Sequence, residues 1–479
     1  MNTPSQHSPP LAIILGGGIT GLTVAWLLRK NSNRRVIILE KSDQVGGLAQ
    51  TFHKSGLNLD VGSHRIHEQY DKEIFETIQN LLGPDLLRRP RHGLILIQNV
   101  FLKYPPSILQ ICSSFGLPQS LRFIRDYIGA TFFRLTHGDD RTSFESFAVR
   151  TVGKTLFKSF YWPYALKLWG IPANEMAHEP AMNRVKKFQL GAFAREILNL
   201  LKKQHGSYFY YPAKGIGQLS EKLKSLFLQN GGEIIYGTDI QPFQLNKGES
   251  IRAVTFLDKQ GNRHELKSDT VISTIPIKSL HGMVCFSNEK NTPEIPLRWR
   301  SLRILYFFTF DKNPSKHETF YLPEPNFRVG RISDISKYSP QLNPKDDGDV
   351  LTMEYPCSEG DEIWEMTDAE LMNIARSELI QLKLIRDTDS KPPTAFSRKV
   401  KNLYPIYDLG WQGRFQTVYD RLNSVPNLFM VGREALYLHC NIDHCMIMAR
   451  ELAIHLEKSQ QKEEWNEKQK TFSLFQVKD

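Results

Sequence analysis

Residues 12–30, AIILGGGITGLTVAWLLRK, decide how the rest of this chain is read. An apolar run, LAIIL, has the look of a buried strand, Gly16 to Gly21 of a turn, and Leu22 to Arg29 of a helix. Gly16, Gly18 and Gly21 form a GxGxxG pattern. The first glycine of such a pattern permits a tight turn, the second lets the backbone approach a pyrophosphate, and the third lets helix and strand pack closely. Exposed N–H groups and the helix dipole then favour an anion, with Thr20 in the same turn. A second strand, RRVIILE, ends in Glu40, about twenty residues on, where a carboxylate can accept hydrogen bonds from both ribose hydroxyls. The same carboxylate would repel a 2'-phosphate, which argues against NADP. The segment therefore predicts a dinucleotide-binding βαβ unit.

Working outward, Gly46-Gly47 in QVGGLAQT presents bare backbone just after the ribose acid. That suits a long cofactor continuing past its adenosine. Near the other end, NLFMVGRE…NIDHCMIMA supplies another strand and a helix start. Such a helix start would stabilise negative charge on the pyrimidine ring of a reduced flavin. FAD, rather than NAD, is the expected cofactor.

The chain between these ends is interrupted. From about Asp71 to Lys203 the pattern is mostly helical, as in EIFETIQNLL and FAREILNLLKK. Nucleotide-domain character returns in GQLSEKLKSLFLQNGGEIIYGTDI, a helix, a Gly-Gly stop and a strand. A hairpin turning at Gln260-Gly261-Asn262 and a buried strand ending near Pro276 follow. ILYFFTF reads as a strand, ELMNIARSELIQL and DHCMIMARELAIHL as helices, and the tail EKSQQKEEWNEKQK as a fraying helix or disorder. The expected class is α/β: a Rossmann-type, GR2-like FAD-binding domain built from discontinuous segments, with an inserted α+β substrate domain. A flexible lead over 1–10 precedes FAD-binding segments at 11–70, 206–290 and 402–457, a substrate or helical domain at 71–205 and 291–401, and a charged tail over 458–479.

Composition narrows the function classes. With 479 residues, 41% hydrophobic and 23% charged, the chain is an ordinary globular one with material for two domains. Its net charge is +10, with basic runs at Arg88–Arg91, Arg184–Lys187 and Arg398–Lys401. These read as a solvated basic surface, or as attraction to an anionic substrate or an acidic membrane. No zinc finger or nucleic-acid motif is present, so nucleic acid is not expected as a partner. Five scattered cysteines without a CxxC point to a reducing compartment. HCNIDHC does not have zinc-site spacing, and no metal is expected. Residues 11–28 are the only near-continuous apolar run long enough to mimic a membrane span, three glycines weaken a helix there, and the first ten residues carry no Lys or Arg. The expectation is a soluble cytoplasmic protein, with peripheral membrane contact and oligomeric state left open.

Beyond these local readings the chain resembles the amine-oxidase-like FAD superfamily, which includes protoporphyrinogen oxidase and phytoene desaturase types. More narrowly, it resembles UDP-galactopyranose mutase and its relatives described as oxidoreductases. GGLAQT, LDVGSHRIH, PYALKLWGIP, YYPAKGIGQL, VISTIP, YSP, YPIYD and GRE…NIDHC carry the resemblance, from about Ala12 to Leu456. It implies that Gly62 and His64 approach the isoalloxazine ring, and that Leu48 contacts the cofactor where many amine oxidases have Arg. It further implies that Ile240 meets the adenine through its backbone, and that Gly432, Arg433 and Asn441 contact flavin or pyrophosphate. Arg184 and Arg331 match a pair that grips a substrate diphosphate in the mutases, with Tyr321 and Tyr404 in the substrate pocket.

Two chemistries follow from the resemblance. In one, a substrate C–H gives hydride to flavin N5. In the other, reduced flavin N5 attacks the anomeric carbon of a UDP-sugar, UDP leaves, the ring opens through an iminium, and reclosure changes the ring size. His64, Arg184, Arg331, Tyr321 and Tyr404 are the implied catalytic residues. The stretch GREALYLHCNIDHC departs from the mutase pattern: it is shorter, and Glu434, Leu436 and Leu438 replace aromatic positions. The expected function is therefore an FAD-dependent oxidoreductase acting on a small molecule, with an apolar amine or polyene as substrate. A nucleotide-sugar mutase is the alternative, and a non-catalytic FAD-binding protein a third reading.

Overall fold

The computed structural model describes residues 9–104, 106, 110, 113–179, 208–310, 312–313, 315–344, 348–387, 393–458, 461–475 and 477. Five strands drawn from distant parts of the chain form its central layer. Leu428–Met430, Thr270–Ser273, Leu11–Leu15, Arg35–Glu40 and Glu233–Tyr236 lie side by side in that order, and every pairing is parallel. A parallel sheet is covered on both faces, so its strands are apolar throughout rather than alternating. Ala12–Leu15 and Val36–Leu39 are accordingly all buried. The helices Ile19–Asn31, Gly217–Gln229 and Ile442–Lys458 supply part of that cover, and the hairpin Ala253–Leu257/Arg263–Lys267 adds Val254 and Phe256 to the same core.

A second sheet of seven strands stands beside it. Its order is Thr394–Ile406, Arg298–Thr309, Asp349–Cys357, Arg331–Asp334, Thr319–Tyr321, Leu94–Ile97 and Val100–Lys103. All neighbours are antiparallel except Thr319–Tyr321 with Leu94–Ile97. Helices Leu117–His137, Phe144–Val152 and Trp162–Trp169 belong to the insertion after the last of these strands.

The chain thus has the expected α/β class, and four details depart from the sequence reading. The first helix begins at Ile19, not Leu22, because Gly18, extended at φ −70° and ψ 178°, is the residue that precedes its first turn. The stretch expected to be mostly helical also contains the strands Leu86–Pro90, Leu94–Ile97 and Val100–Lys103; short apolar runs do not distinguish strand from helix by periodicity. FAREILNLLKK falls outside the described residues. Strand Thr394–Ile406 runs through the boundary drawn at 402, since it pairs with Arg298–Thr309 on both sides of it, across a register shift between Arg300 and Leu302. Finally, the charged tail is folded: helix Lys462–Lys470 buries Trp465, the following turn buries Phe472, and both join the core of the nucleotide domain. Two large aromatic side chains outweigh the surrounding charge.

Candidate functional site

Between the two sheets lies a continuous cavity of about 590 Å³. Gly16, Gly18, Thr20, Glu40, Gly47, Leu48, Gly62, His64, Tyr321, Arg331, Tyr404, Arg433 and Asn441 all line it. Glu40 and Arg433, nearly four hundred residues apart in sequence, therefore share one space. Gly21, Ile240 and Gly432 are not among the lining residues. Gly21 lies beneath the turn, Gly432 packs behind Thr20, and Ile240 sits in the small sheet paired with Phe256. Arg184 lies outside the described residues.

At the nucleotide end, the glycines divide their work. A Cβ on Gly21 would stand 2.1 Å from the Gly16 carbonyl oxygen, so the helix approaches the strand end only without a side chain. A Cβ on Gly18 would meet nothing within 4 Å, because its backbone lies bare against the cavity. The second glycine turn is docked on the first, with the Gly46 N–H donating to the Gly17 carbonyl at 2.9 Å. Glu40 is oriented by the Gly17 N–H at 2.6 Å and by the Ser42 N–H and hydroxyl at 2.9 and 2.8 Å. Two helix N-termini, at Ile19 and at Ile442, open on the same space, and both bring positive dipole ends to it.

The opposite wall comes from the register of the seven-stranded sheet. Tyr321 pairs with Arg331, Arg331 with Glu354, and Glu354 with Ile304, so the four side chains form one cross-strand row facing the cavity. Pro356, Leu302 and Val400 form a second row two residues along. Arg331 donates from Nε to Glu354 Oε2 at 2.9 Å and from Nη2 to Oε1 at 2.6 Å. Glu354 is buried, and its Oε1 also accepts the Ser63 N–H at 3.0 Å. The guanidinium is partly exposed; the burial it has works to lower its pKa, but Glu354 and the nearby tyrosines hold it well above the ordinary value.

Aromatic rings finish this end. Tyr321 packs on Tyr104 with centroids 4.1 Å apart, and Tyr404 meets His439 edge-on at 5.3 Å. His64 contacts the Val61 carbonyl through Nε2 at 3.0 Å. Behind it Asp60, buried, receives the hydroxyls of Thr51 and Tyr211 at 2.5 Å each and the Ile216 N–H at 3.1 Å, fixing the turn that carries Gly62 and His64. Lys167 donates Nζ to the carbonyls of Leu322 and Glu324 at 2.5 Å and of Val329 at 3.3 Å, and burial pushes its pKa down to about 8.

Arg433 joins the two halves. It donates to the carbonyls of Cys440 at 2.9 Å and Leu403 at 2.6 Å, tying the long strand to the start of helix Ile442–Lys458. Its neighbour Glu434 is pushed up to about 8 by burial, against the opposing pull of Arg433. Cys440 and Cys445 bring their sulfurs to 3.8 Å on this wall, where Cys440, Thr20 and Arg433 pull the Cys445 thiol pKa below its ordinary value. Among the described residues no cluster suited to a metal ion occurs.

Several of these residues were missed by sequence reasoning. Glu354 carried one usable signal, an acid in the middle of the apolar strand DVLTMEYPC. Lys167 lay within PYALKLWGIP without being singled out, and Tyr104 and Val477 carried no signal, because only the tertiary fold brings them to the cavity.

The residues fit an adenine dinucleotide carrying a flavin. Bare backbone at Gly18, two helix N-termini and an acid at the ribose distance line one end, and an apolar and aromatic wall lines the other. Comparison with known proteins agrees. UDP-galactopyranose mutase of Mycoplasma genitalium is 30% identical over 183 residues, 36% of this chain and 43% of that protein. Coproporphyrinogen III oxidase of Bacillus subtilis is 24% identical over 458 residues, 88% of this chain and 92% of that one. A solved structure of reduced UDP-galactopyranose mutase superimposes with a TM-score of 0.78 at 20% identity, covering 94% of each chain, and so shares the fold. Residues 19–449 match the family model for flavin containing amine oxidoreductases, and the chain belongs to that family.

Proposed function

We propose that this chain is an FAD-dependent oxidoreductase that takes hydride from a substrate with an apolar or aromatic body. Glu40 accepts the ribose hydroxyls, and the backbone at Gly18 with the first helix start receives the pyrophosphate. Asn441 and the helix start at Ile442 face the ring end, where their positive field favours a reduced, anionic ring. FAD, when bound there, supplies the hydride acceptor at N5. Leu48, Val61, Leu302 and Ile304 exclude water from that end, and Tyr104, Tyr321 and Tyr404 orient the substrate.

The observation that carries this choice is the Arg331–Glu354 pair. A mutase needs uncompensated cations on a leaving diphosphate. Here the Arg331 fork is already occupied by a buried carboxylate at 2.9 and 2.6 Å, so its charge is largely spent inside the protein. The alternative, isomerisation of a UDP-sugar, is favoured by the 30% identity to the Mycoplasma genitalium mutase over 183 residues.

One set of assays separates the readings. Purified protein is expected to be yellow and to release FAD; protein that stays colourless and does not take up added FAD overturns both. Anaerobic protein is then mixed with coproporphyrinogen III, polyamines and polyenes, and dithionite-reduced protein with UDP-galactofuranose. Flavin bleaching in the first arm, without pyranose formation in the second, is the expected result. Pyranose formation by reduced protein establishes the mutase instead. Stable FAD with turnover in neither arm points to a binding protein.

A further inference from the structure

Helix Leu117–His137 is amphipathic in the wrong sense for water. Its buried positions include Ser120 and Thr131, together with Phe123. Asp126 also turns inward, accepting the Thr155 hydroxyl at 2.5 Å and the Thr155 N–H at 3.2 Å. Leu117, Leu121, Ile124, Ile128, Phe132 and Leu135 are exposed instead, five of them by more than half. Their spacing of three and four residues sets them in one stripe along the outer face, and at 1.5 Å per residue that stripe is roughly 27 Å long. Contiguous apolar surface of this kind marks an interaction site.

Among the described residues nothing covers the stripe, and the charge around it points to what does. Arg122 and Arg125 are exposed along one edge. Residues 101–170, which contain the helix, carry nine Lys and Arg against four Asp and Glu, in a chain of net charge +10. Trp162 and Leu166 are exposed on the later helix Trp162–Trp169 of the same insertion, whose Tyr164, Lys167 and Leu168 reach the cavity. A cationic helix with an apolar face and an exposed indole suits the surface of an anionic bilayer. A two-fold contact with a second copy would set basic edges against each other. No helix among the described residues is long and apolar enough to cross a membrane, so such contact would be peripheral.

We infer that helix Leu117–His137 docks the protein on an anionic lipid surface, lying in the interface with its Leu117–Leu135 stripe among the acyl chains. This holds whichever reaction the cavity performs. The full chain as purified is sedimented with vesicles of phosphatidylcholine, with and without phosphatidylglycerol. It is expected to bind the anionic vesicles preferentially, and less as salt rises. Ile128→Ser with Phe132→Ser removes apolar contact without adding charge and should weaken binding roughly tenfold or more. Arg122→Gln with Arg125→Gln should weaken it roughly tenfold to thirtyfold. Both pairs are exposed, so circular dichroism and melting temperature should match wild type. Wild-type protein left in the supernatant at low salt, or Ser variants that bind as well as wild type, overturn the inference. A concentration-dependent dimer that the Ser variants abolish, without vesicle binding, shows that a second copy covers the face instead.

Discussion

Arg331 and Glu354 sit directly opposite each other on neighbouring antiparallel strands, and two N–H···O contacts of 2.9 and 2.6 Å join them across the floor of the cavity. The pair is mostly withdrawn from water, with side-chain exposures of 24% and 6%. Arg331→Met would leave a buried carboxylate without its cation. The expected loss is about 3 kcal/mol in urea unfolding, the low end of the range for broken buried pairs because the arginine keeps some solvent. Arg331→Lys should recover little, since an ammonium does not reproduce the fork. Arg331→Met with Glu354→Met should recover much of the loss.

Gly18 and Gly21 should behave oppositely although they share a motif. Gly18→Ala places a methyl in open cavity at an ordinary backbone conformation. It should leave the melting temperature of the flavin-free protein unchanged while lowering FAD affinity roughly tenfold or more. Gly21→Ala drives a Cβ to within 2.1 Å of the Gly16 carbonyl. It should destabilise the flavin-free protein as well. Flavin absorbance and thermal melts on each variant distinguish the two effects.

Glu434 links stability to pH. Burial raises its carboxyl from 4.5 to about 8, so between these values the folded state holds a proton that the unfolded state has lost. Stability contributed by the neutral carboxyl is complete below about 4.5 and falls as pH rises through about 8, with a slope of at most roughly 1.4 kcal/mol per pH unit. Glu434→Gln should flatten that slope in denaturant titrations of the flavin-free protein from pH 5 to 8.

The C-terminal tail belongs to the fold. Trp465 is 1% exposed and Phe472 2%, both within the nucleotide-domain core. Trp465→Ala should destabilise by roughly 3–5 kcal/mol, measured by chemical unfolding, and removal of 462–479 should have an effect at least as large. If the tail were disordered, neither change would register.

The sequence by itself determined the nucleotide half. A GxGxxG between strand and helix, an acid at the end of the next strand, and apolar runs long enough for buried parallel strands are local signals, because each element's geometry is encoded within it. Gly16, Gly18 and Glu40, which carry those signals, line one cavity. The register of the second sheet was decided only in three dimensions. A shift of one residue would turn Arg331, Glu354 and Tyr321 away from the cavity, and nothing within their separate strands specifies the alignment. The burial of the tail and the outward stripe of helix Leu117–His137 were hidden for the same reason. Periodicity gives the faces of an element, whereas the partners packed against it decide which face meets the core.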